Sequence, residues 1–304
     1  MEIFTIICRN DYKLWRLQAK SVAKFSQGND VTAIHIVVNE LDELAQRVER
    51  FVTANLTAYG ALLDKVKFHK RTIFLDRDIN LGGWRTQQLI KMRCYRVLQD
   101  EPVLILDAKN HFIRPISTYD YFEEGTGRPI VSLNVRGTHH SQFQWLVDSL
   151  AVVGLPEELA RGPASQTTTP YPVTKSHLKE LDEYIAEHHS SLEDFFEGYT
   201  GKASEFLMIF SYALKKYKDA ELYFKGGSMA SSTIFRRHPH LPEQVLAVIN
   251  AAKRGKTAMF AIHARRIPNL DKQERRHIED LWMSLGIATK EDCQEILSVR
   301  EEVA

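Results

Sequence analysis

The sequence predicts a three-layer α/β/α fold around a mixed central sheet, with a more helical C-terminal half. Three observations predict it. Strand-like and helix-like patterns alternate through the first half, the order expected where parallel strands are joined by right-handed helical crossovers. Val103-Leu104-Ile105-Leu106 is an unbroken apolar run, and a strand apolar on both faces suits the middle of a sheet covered on both sides. Beyond residue 175 helical periodicity dominates.

Taken in order, residues 3–7 read as the first strand and Cys8-Arg9-Asn10 as a turn. Asp11 stands where it can cap the next helix. Leu14, Leu17, Ser21, Val22 and Phe25 form one stripe of that helix, which ends at residues 27–30. A second strand covers 32–38. Leu41, Leu44, Val48, Phe51 and Val52 mark a second helix, and 66–75 holds another strand candidate. Gly82-Gly83 precedes a helix with Ile90, Cys94, Val97 and Leu98 on one face and Gln87 and Lys91, four apart, on another. The apolar run 103–106 follows. Residues 130–135 read as a strand, and Phe143, Leu146, Val147 and Leu150 as a helix stopped near Gly154-Leu155-Pro156.

Residues 161–174 are rich in Pro, Thr and Ser and read as a long functional or mobile loop, and as the boundary between the two halves. Helices are then expected over 177–188, 192–199, from Ser204 through Leu214, and over 242–253, 271–285 and 290–299. Strands are expected at 222–224 and 258–262. No internal repeat or low-complexity segment is present.

The totals bound the function. The 304 residues suffice for a substantial core. Forty Lys and Arg against 39 Asp and Glu leave a net charge of +1, and the basic residues are dispersed, so nothing in the totals favours nucleic acid or an acidic membrane. No apolar run is long enough to span a bilayer, and the N-terminus reads as a strand rather than a signal peptide. Cys8, Cys94 and Cys293 are odd in number and far apart, which suggests buried thiols in a reducing cytoplasm rather than a disulfide framework or zinc cluster.

The apolar run ends abruptly at Asp107-Ala108-Lys109-Asn110-His111. In open α/β sheets, ligands sit just beyond the carboxyl ends of the strands, so chemistry is expected at Asp107. The glycine pair at 82–83 lacks the spacing of a dinucleotide fingerprint or a P-loop, and neither a Gly-x-Ser-x-Gly elbow nor a His-Glu-x-x-His run occurs.

Several segments in one order resemble a known family. Asp11-Tyr12 resembles an early acidic loop, Gly83-Trp84-x-x-Gln87-Gln88-Leu89-x-Lys91 a Gly-Trp helix with a glutamine pair and a lysine, and LILDAKNHFIRP the Asp-x-Asp segment. His140 through Trp145 to Pro156 resembles an acceptor-side segment, Ser204-Glu205 a helix start, and Ala261-Ile262-His263 a late strand ending in histidine. Together they resemble the GT-A-like (Rossmann-like) glycosyltransferases, and within them the uncharacterised bacterial DUF6492 family. The resemblance implies a nucleotide-sugar-binding core over 1–160 and an acceptor-side, more helical part over 161–304, packed as one unit.

It also implies a cytoplasmic enzyme that moves a sugar from a nucleoside-diphosphate donor, a UDP-sugar first among them, to a glycan or other hydroxyl acceptor, in bacterial surface polysaccharide synthesis. Peripheral membrane association is compatible with the C-terminal amphipathic helices, as is ordinary packing. Donor-side candidates are Asp11, Gly83, Trp84, Gln87, Lys91, Asp107 and Lys109. Catalytic candidates are Glu205, His140 and Lys109. Glu205 stands as acceptor contact or general base beside the plain alternative of a carboxylate at a helix start.

One departure is sharp. Where the Asp-x-Asp pattern has its second carboxylate, this chain has Lys109, which cannot bind Mg²⁺ or Mn²⁺ while protonated. Two explanations stay open: Asp107 and His263 hold a divalent metal without that carboxylate, or Lys109 itself neutralises the diphosphate. Two other functions compete: a sugar nucleotidyltransferase, disfavoured by Arg9-Asn10-Asp11 in place of a glycine-rich phosphate loop, and a non-catalytic nucleotide-sugar or glycan-binding protein.

Overall fold

The computed structural model describes residues 1–26, 30–77, 79, 81–228 and 231–298. The first half runs β1 (Glu2–Ile7), α1 (Tyr12–Phe25), β2 (Ala33–Val38), α2 (Asp42–Ala54), β3 (Val66–His69), α3 (Gly83–Met92), β4 (Pro102–Asp107), β5 (Asn110–Phe112), β6 (Ile130–Val131), β7 (Leu133–Val135) and α4 (Phe143–Val152). The second half runs β8 (Pro163–Ser165), β9 (Tyr171–Thr174), α5 (Lys175–His189), α6 (Leu192–Gly198), α7 (Glu205–Tyr217), β10 (Lys225–Gly226), β11 (Ser231–Ile234), α8 (Pro242–Lys253), β12 (Met259–Ile262), α9 (Lys272–Ser284) and α10 (Lys290–Leu297).

Five strands form the main sheet in the order β3-β2-β1-β4-β9. The first four are parallel and β9 is antiparallel to β4. The register explains why β4 is apolar throughout. Phe4 and Ile6 of β1, with Val103 and Ile105 of β4, bury in a core with Leu89, Ile90 and the α7 side chains. The alternate residues Ile3, Leu104 and Leu106 bury on the other face, against Trp15, Val22, Val48 and Val52 of α1 and α2. Period-two alternation sends each strand's side chains to both faces, so both must be apolar.

A second, smaller sheet, β11-β12-β5, packs against α8, α9 and α10 in a third core containing Trp282 and Phe260. β5 leaves β4 across two residues and pairs antiparallel with β12, Asn110 opposite Ala261. That short hop from one sheet to the other carries Lys109 across the junction. It also brings the residue after β12, His263, alongside the same turn.

Several expectations are corrected. The helix over Ile90, Cys94, Val97 and Leu98 is not continuous: α3 ends at Met92 and a 3-10 turn, Cys94–Arg96, follows. The break comes at Arg93, whose guanidinium is drawn inward to Asp182 at 2.9 Å and to Glu193 at 2.5 Å. The strand candidate at 66–75 is strand only over Val66–His69, with a 3-10 turn at Arg71–Phe74 behind it. The stretch 130–135 is two strands rather than one. β6 pairs with β10 and β7 with β8, and between them the Ser132 amide donates to the Gln166 side chain at 2.6 Å.

Residues 161–174 are not a loop: they contain β8 and β9. Pro172 is tolerated because β9 is an edge strand, where a missing N–H leaves no ladder bond unmade. The expected strand at 222–224 is a 3-10 turn, Ala220–Leu222, running into β10. Its aromatic pair, Tyr223 and Phe224, buries against Tyr171, His177 and Phe210 instead of lying on a sheet. The expected helix end at 27–29 and the last residue of the expected helix at 290–299 lie outside the described residues.

Candidate functional site

Asp107 is the last residue of β4, at the carboxyl edge of the main sheet. Its carboxylate is shared by two ammonium groups. Lys91 of α3 donates to Oδ1 at 2.9 Å, and Lys109, two residues on, pairs with Oδ2. Lys91 also donates to Glu205, the first residue of α7, at 3.2 Å. It is 4% exposed, and the Phe206 ring lies 5.0 Å from its ammonium. Burial opposes charge on Lys91, but the carboxylates of Asp107 and Glu205 outweigh it and the pKa rises. Burial likewise opposes ionisation of Asp107, and the two lysines override it, holding the carboxyl far below its usual range.

The turn after β4 is held from three sides. The Asp107 amide donates to the Asn110 side chain at 2.9 Å, and the Thr169 hydroxyl donates to the same oxygen at 2.7 Å. Gln18 of α1 donates to the carbonyls of Asp107 at 2.8 Å and Asn110 at 3.0 Å. A turn fixed by this many bonds presents Asp107 and Lys109 in one geometry, which is what a binding site requires.

Asp11 and His263 complete the group electrostatically. Asp11 occupies the N-cap position of α1 but makes no side-chain capping bond, so capping does not account for it. Burial pushes its carboxyl up to about 6, with Asp107 and Glu40 adding to the rise and Lys109 and Arg265 opposing it. His263 is half-buried, and its Nδ1 accepts from the Arg265 amide at 3.2 Å. Burial, then Lys109 and Arg265, bring its pKa down to about 4, so its imidazole is neutral at neutral pH. Ser204, expected to cap α7, makes no capping bond, and its hydroxyl has no partner among the described residues.

The remaining predicted residues make no hydrogen bond or ion pair with this cluster among the described residues. Gly82, with φ of +73°, enters α3 in a backbone region that favours glycine. The Gly83 carbonyl accepts from Asn39, just past β2, at 2.9 Å. Trp84 is 52% exposed and packs against Trp145 of α4, ring centroids 5.8 Å apart. Gln87 is half-buried. His140 lies in an exposed turn, its Nδ1 accepting from the Gln142 amide at 3.1 Å. The residue pattern did not single out Gln18, Asn110, Thr169 or Arg265 for this group. Asn110 had a signal in its place beside the strand end; Gln18 and Thr169 had none. Gln88, beside Gln87 on α3, is fully buried, and neither atom of its amide has a hydrogen-bond partner among the described residues.

The donor set does not fit a divalent metal. Both oxygens of Asp107 are engaged by ammonium groups, and among the described residues no three His, Cys, Asp or Glu side chains converge in a way that would hold an ion. The arrangement instead offers a fixed carboxylate, a sealed lysine and a more accessible one.

The galactosyltransferase LgtC, solved with donor and acceptor sugar analogs, is similar to this chain at a TM-score of 0.50 and 12% identity, covering 96% of this chain and 98% of that one. Mouse xyloside xylosyltransferase 1 is similar at 0.46 and 9%, covering 86% and 97%. The bifunctional glycosyltransferase WbbM is similar at 0.40 and 11%, covering 94% of this chain and 51% of that one. The likeness to LgtC makes the fold GT-A-like. No curated protein matches the sequence. A family described as of unknown function matches residues 7–257, and with most of its length inside that match, the chain belongs to the DUF6492 family.

Proposed function

We propose that this chain is a glycosyltransferase that moves a sugar from a nucleoside-diphosphate sugar, a UDP-sugar in the first instance, to a hydroxyl of a glycan acceptor. The observation that carries the reading is the unequal pair of lysines on Asp107. The Lys91 side chain is 5% exposed and sealed; that of Lys109 is 18% exposed, on the side of His263 and Arg265. A diphosphate entering there finds Lys109 already oriented by Asp107, with Arg265 beyond it.

In the reaction, the acceptor hydroxyl oxygen attacks the anomeric carbon and the bond from that carbon to the diphosphate oxygen breaks. Lys109 and Arg265 neutralise the charge that develops on the leaving diphosphate, a preorganised electrostatic contribution that needs no rearrangement at the moment of reaction. Asp107 orients Lys109, and Lys91 pairs with both Asp107 and Glu205. Glu205 takes the acceptor's proton, or His140 takes it from the exposed side. Asp11, Gly83, Trp84 and Gln87 hold the nucleoside and sugar. Residues 1–160 supply the donor side, while 161–304 contribute Glu205, His263 and Arg265. No step is assigned to a metal, since the residues do not fit one.

The wider setting, surface polysaccharide synthesis on the cytoplasmic side of a bacterial membrane, rests on the family resemblance. No helix among the described residues is long and apolar enough to cross a membrane. The test is hydrolysis and transfer from UDP-sugars with and without EDTA, in wild type and Lys109→Ala. Turnover that survives EDTA and falls in the variant supports the lysine mechanism. Turnover abolished by EDTA rejects it. Binding of nucleotide sugar without turnover under any condition makes the chain a binding protein.

A further inference from the structure

An open cleft of about 1410 Å³ lies between α1, α2 and the segment that follows β12. Arg9, Arg47, Arg236, Arg237 and Arg265 line it. These arginines are scattered along the sequence and invisible in a net charge of +1; the fold gathers them. No carboxylate lines the cleft among the described residues. None of the five side chains takes part in an ion pair among those residues either, whereas Arg16, Arg77, Arg93, Arg96, Arg114 and Arg128 all do. Of the acids around it, Glu295 is held by Lys13 and Arg16 and Asp292 by Arg16 and Lys20, Glu40 accepts from the Arg9 amide at 2.7 Å, and, of the five arginines, Asp11 offsets Arg265 alone.

Crowded like charges repel, and an anion in the cleft turns that repulsion into attraction. Guanidinium forks match phosphate and carboxylate oxygens in pairs. The donor's diphosphate does not account for the whole set. It carries about one negative charge per phosphate, and Lys109 with Arg265 already meets it at the turn. Arg9, Arg47, Arg236 and Arg237 are surplus to that need. The floor is apolar, with Leu14, Val48, Ile267 and Ile296 buried beneath the guanidinium rim. Tyr12 and Phe51 pack edge to face there at 4.6 Å, which leaves no parallel aromatic platform for stacked bases.

We propose that this cleft seats the anionic groups of the acceptor, a glycan bearing phosphate or carboxylate substituents, at a site that meets the donor's diphosphate only at Arg265. Its role as acceptor site rests on the glycosyltransferase reading; its anion binding does not.

The test is calorimetric titration with sodium tripolyphosphate, an oligogalacturonate and a single-stranded oligonucleotide, alongside UDP. The proteins are wild type, Lys109→Ala, and the double variant Arg47→Glu with Arg237→Glu. Both of these arginines are exposed, so the double variant keeps the core intact. The expected result is that tripolyphosphate or the oligogalacturonate binds wild type and Lys109→Ala alike, weakens at least about tenfold in the double variant and with added salt, and leaves UDP affinity unchanged. The better of the two probes identifies phosphate or carboxylate as the recognised group. Loss of probe binding in Lys109→Ala but not in the double variant overturns the proposal, as does loss of UDP and probe together in the double variant, tighter binding of the oligonucleotide than of either probe, or no binding of any probe to wild type. Probe binding at the cleft in a protein that never turns over a UDP-sugar leaves the anion site standing and rejects the enzymatic reading.

Discussion

Lys91 and Glu205 stand 114 residues apart in the sequence and 3.2 Å apart in the fold, buried together beneath Asp107. The pair joins α3, the helix before β4, to the first residue of α7. Removing one member of a buried ion network leaves its partner charged and unsolvated, which costs about 3–5 kcal/mol. Lys91→Met is therefore expected to lower the stability measured by denaturant unfolding by about that amount. Adding Glu205→Gln to it should recover part of the loss. A Lys91→Met protein as stable as wild type would show that the network carries no such strain.

Lys109 is the more accessible cation of the two on Asp107, so its replacement should act on ligand binding before stability. Charge-assisted hydrogen bonds contribute about 1.5–3 kcal/mol, or roughly 10–100-fold in affinity. Lys109→Ala should weaken UDP binding within that range by calorimetry, and Lys109→Arg should weaken it less, because the positive charge remains. Equal affinities in the two variants would remove Lys109 from the diphosphate.

Asp11 links pH to stability. Its folded pKa, about 6, is raised above the ordinary aspartate value by burial first and then by Asp107 and Glu40. Between about pH 4 and 6 the folded protein holds this proton and the unfolded chain does not. The residue's contribution to stability therefore declines as pH rises through that window and stays at its low value above it. Asp11→Asn should melt higher than wild type near pH 7.5, with the gain vanishing near pH 4. The buried histidines His111 and His177 and the half-buried His263, all lowered chiefly by burial, slope the other way in both proteins and cancel in the difference. A difference in melting temperature that does not change with pH would contradict the assignment.

Gln88 is a buried amide with no hydrogen-bond partner among the described residues. An unsatisfied buried polar group costs about 1–3 kcal/mol. Gln88→Leu, close in volume, should match or exceed wild type in thermal stability. If the amide serves a sugar hydroxyl, the same variant loses turnover while gaining stability, and paired melting and activity measurements check both. A less stable variant would mean that Gln88 is satisfied in the folded protein.

Much of this architecture was legible in the residue pattern. The apolar run 103–106 announced a central strand because both its faces are covered, and its abrupt end announced Asp107 as the last residue of that strand. The periodicity placed α8 at Pro242–Lys253, and it placed the start of α7 at Glu205. The pattern misled where local composition and distant pairing disagree. The Pro- and Thr-rich stretch near 161–174 looked like a loop, yet its last residues close the main sheet against β4. β5 was hidden in a polar cluster because its partner, β12, lies far along the chain.

Local patterning was enough to establish the α/β layering and the acidic tip at Asp107, because burial of periodic apolar residues is a short-range signal. It left open whether Lys109 displaces a metal, which distant carboxylate Lys91 serves, and whether the arginines disperse or converge. Those answers depend on charges far apart in sequence meeting in a low-dielectric interior or at one cleft, and no run of neighbouring residues records such a meeting.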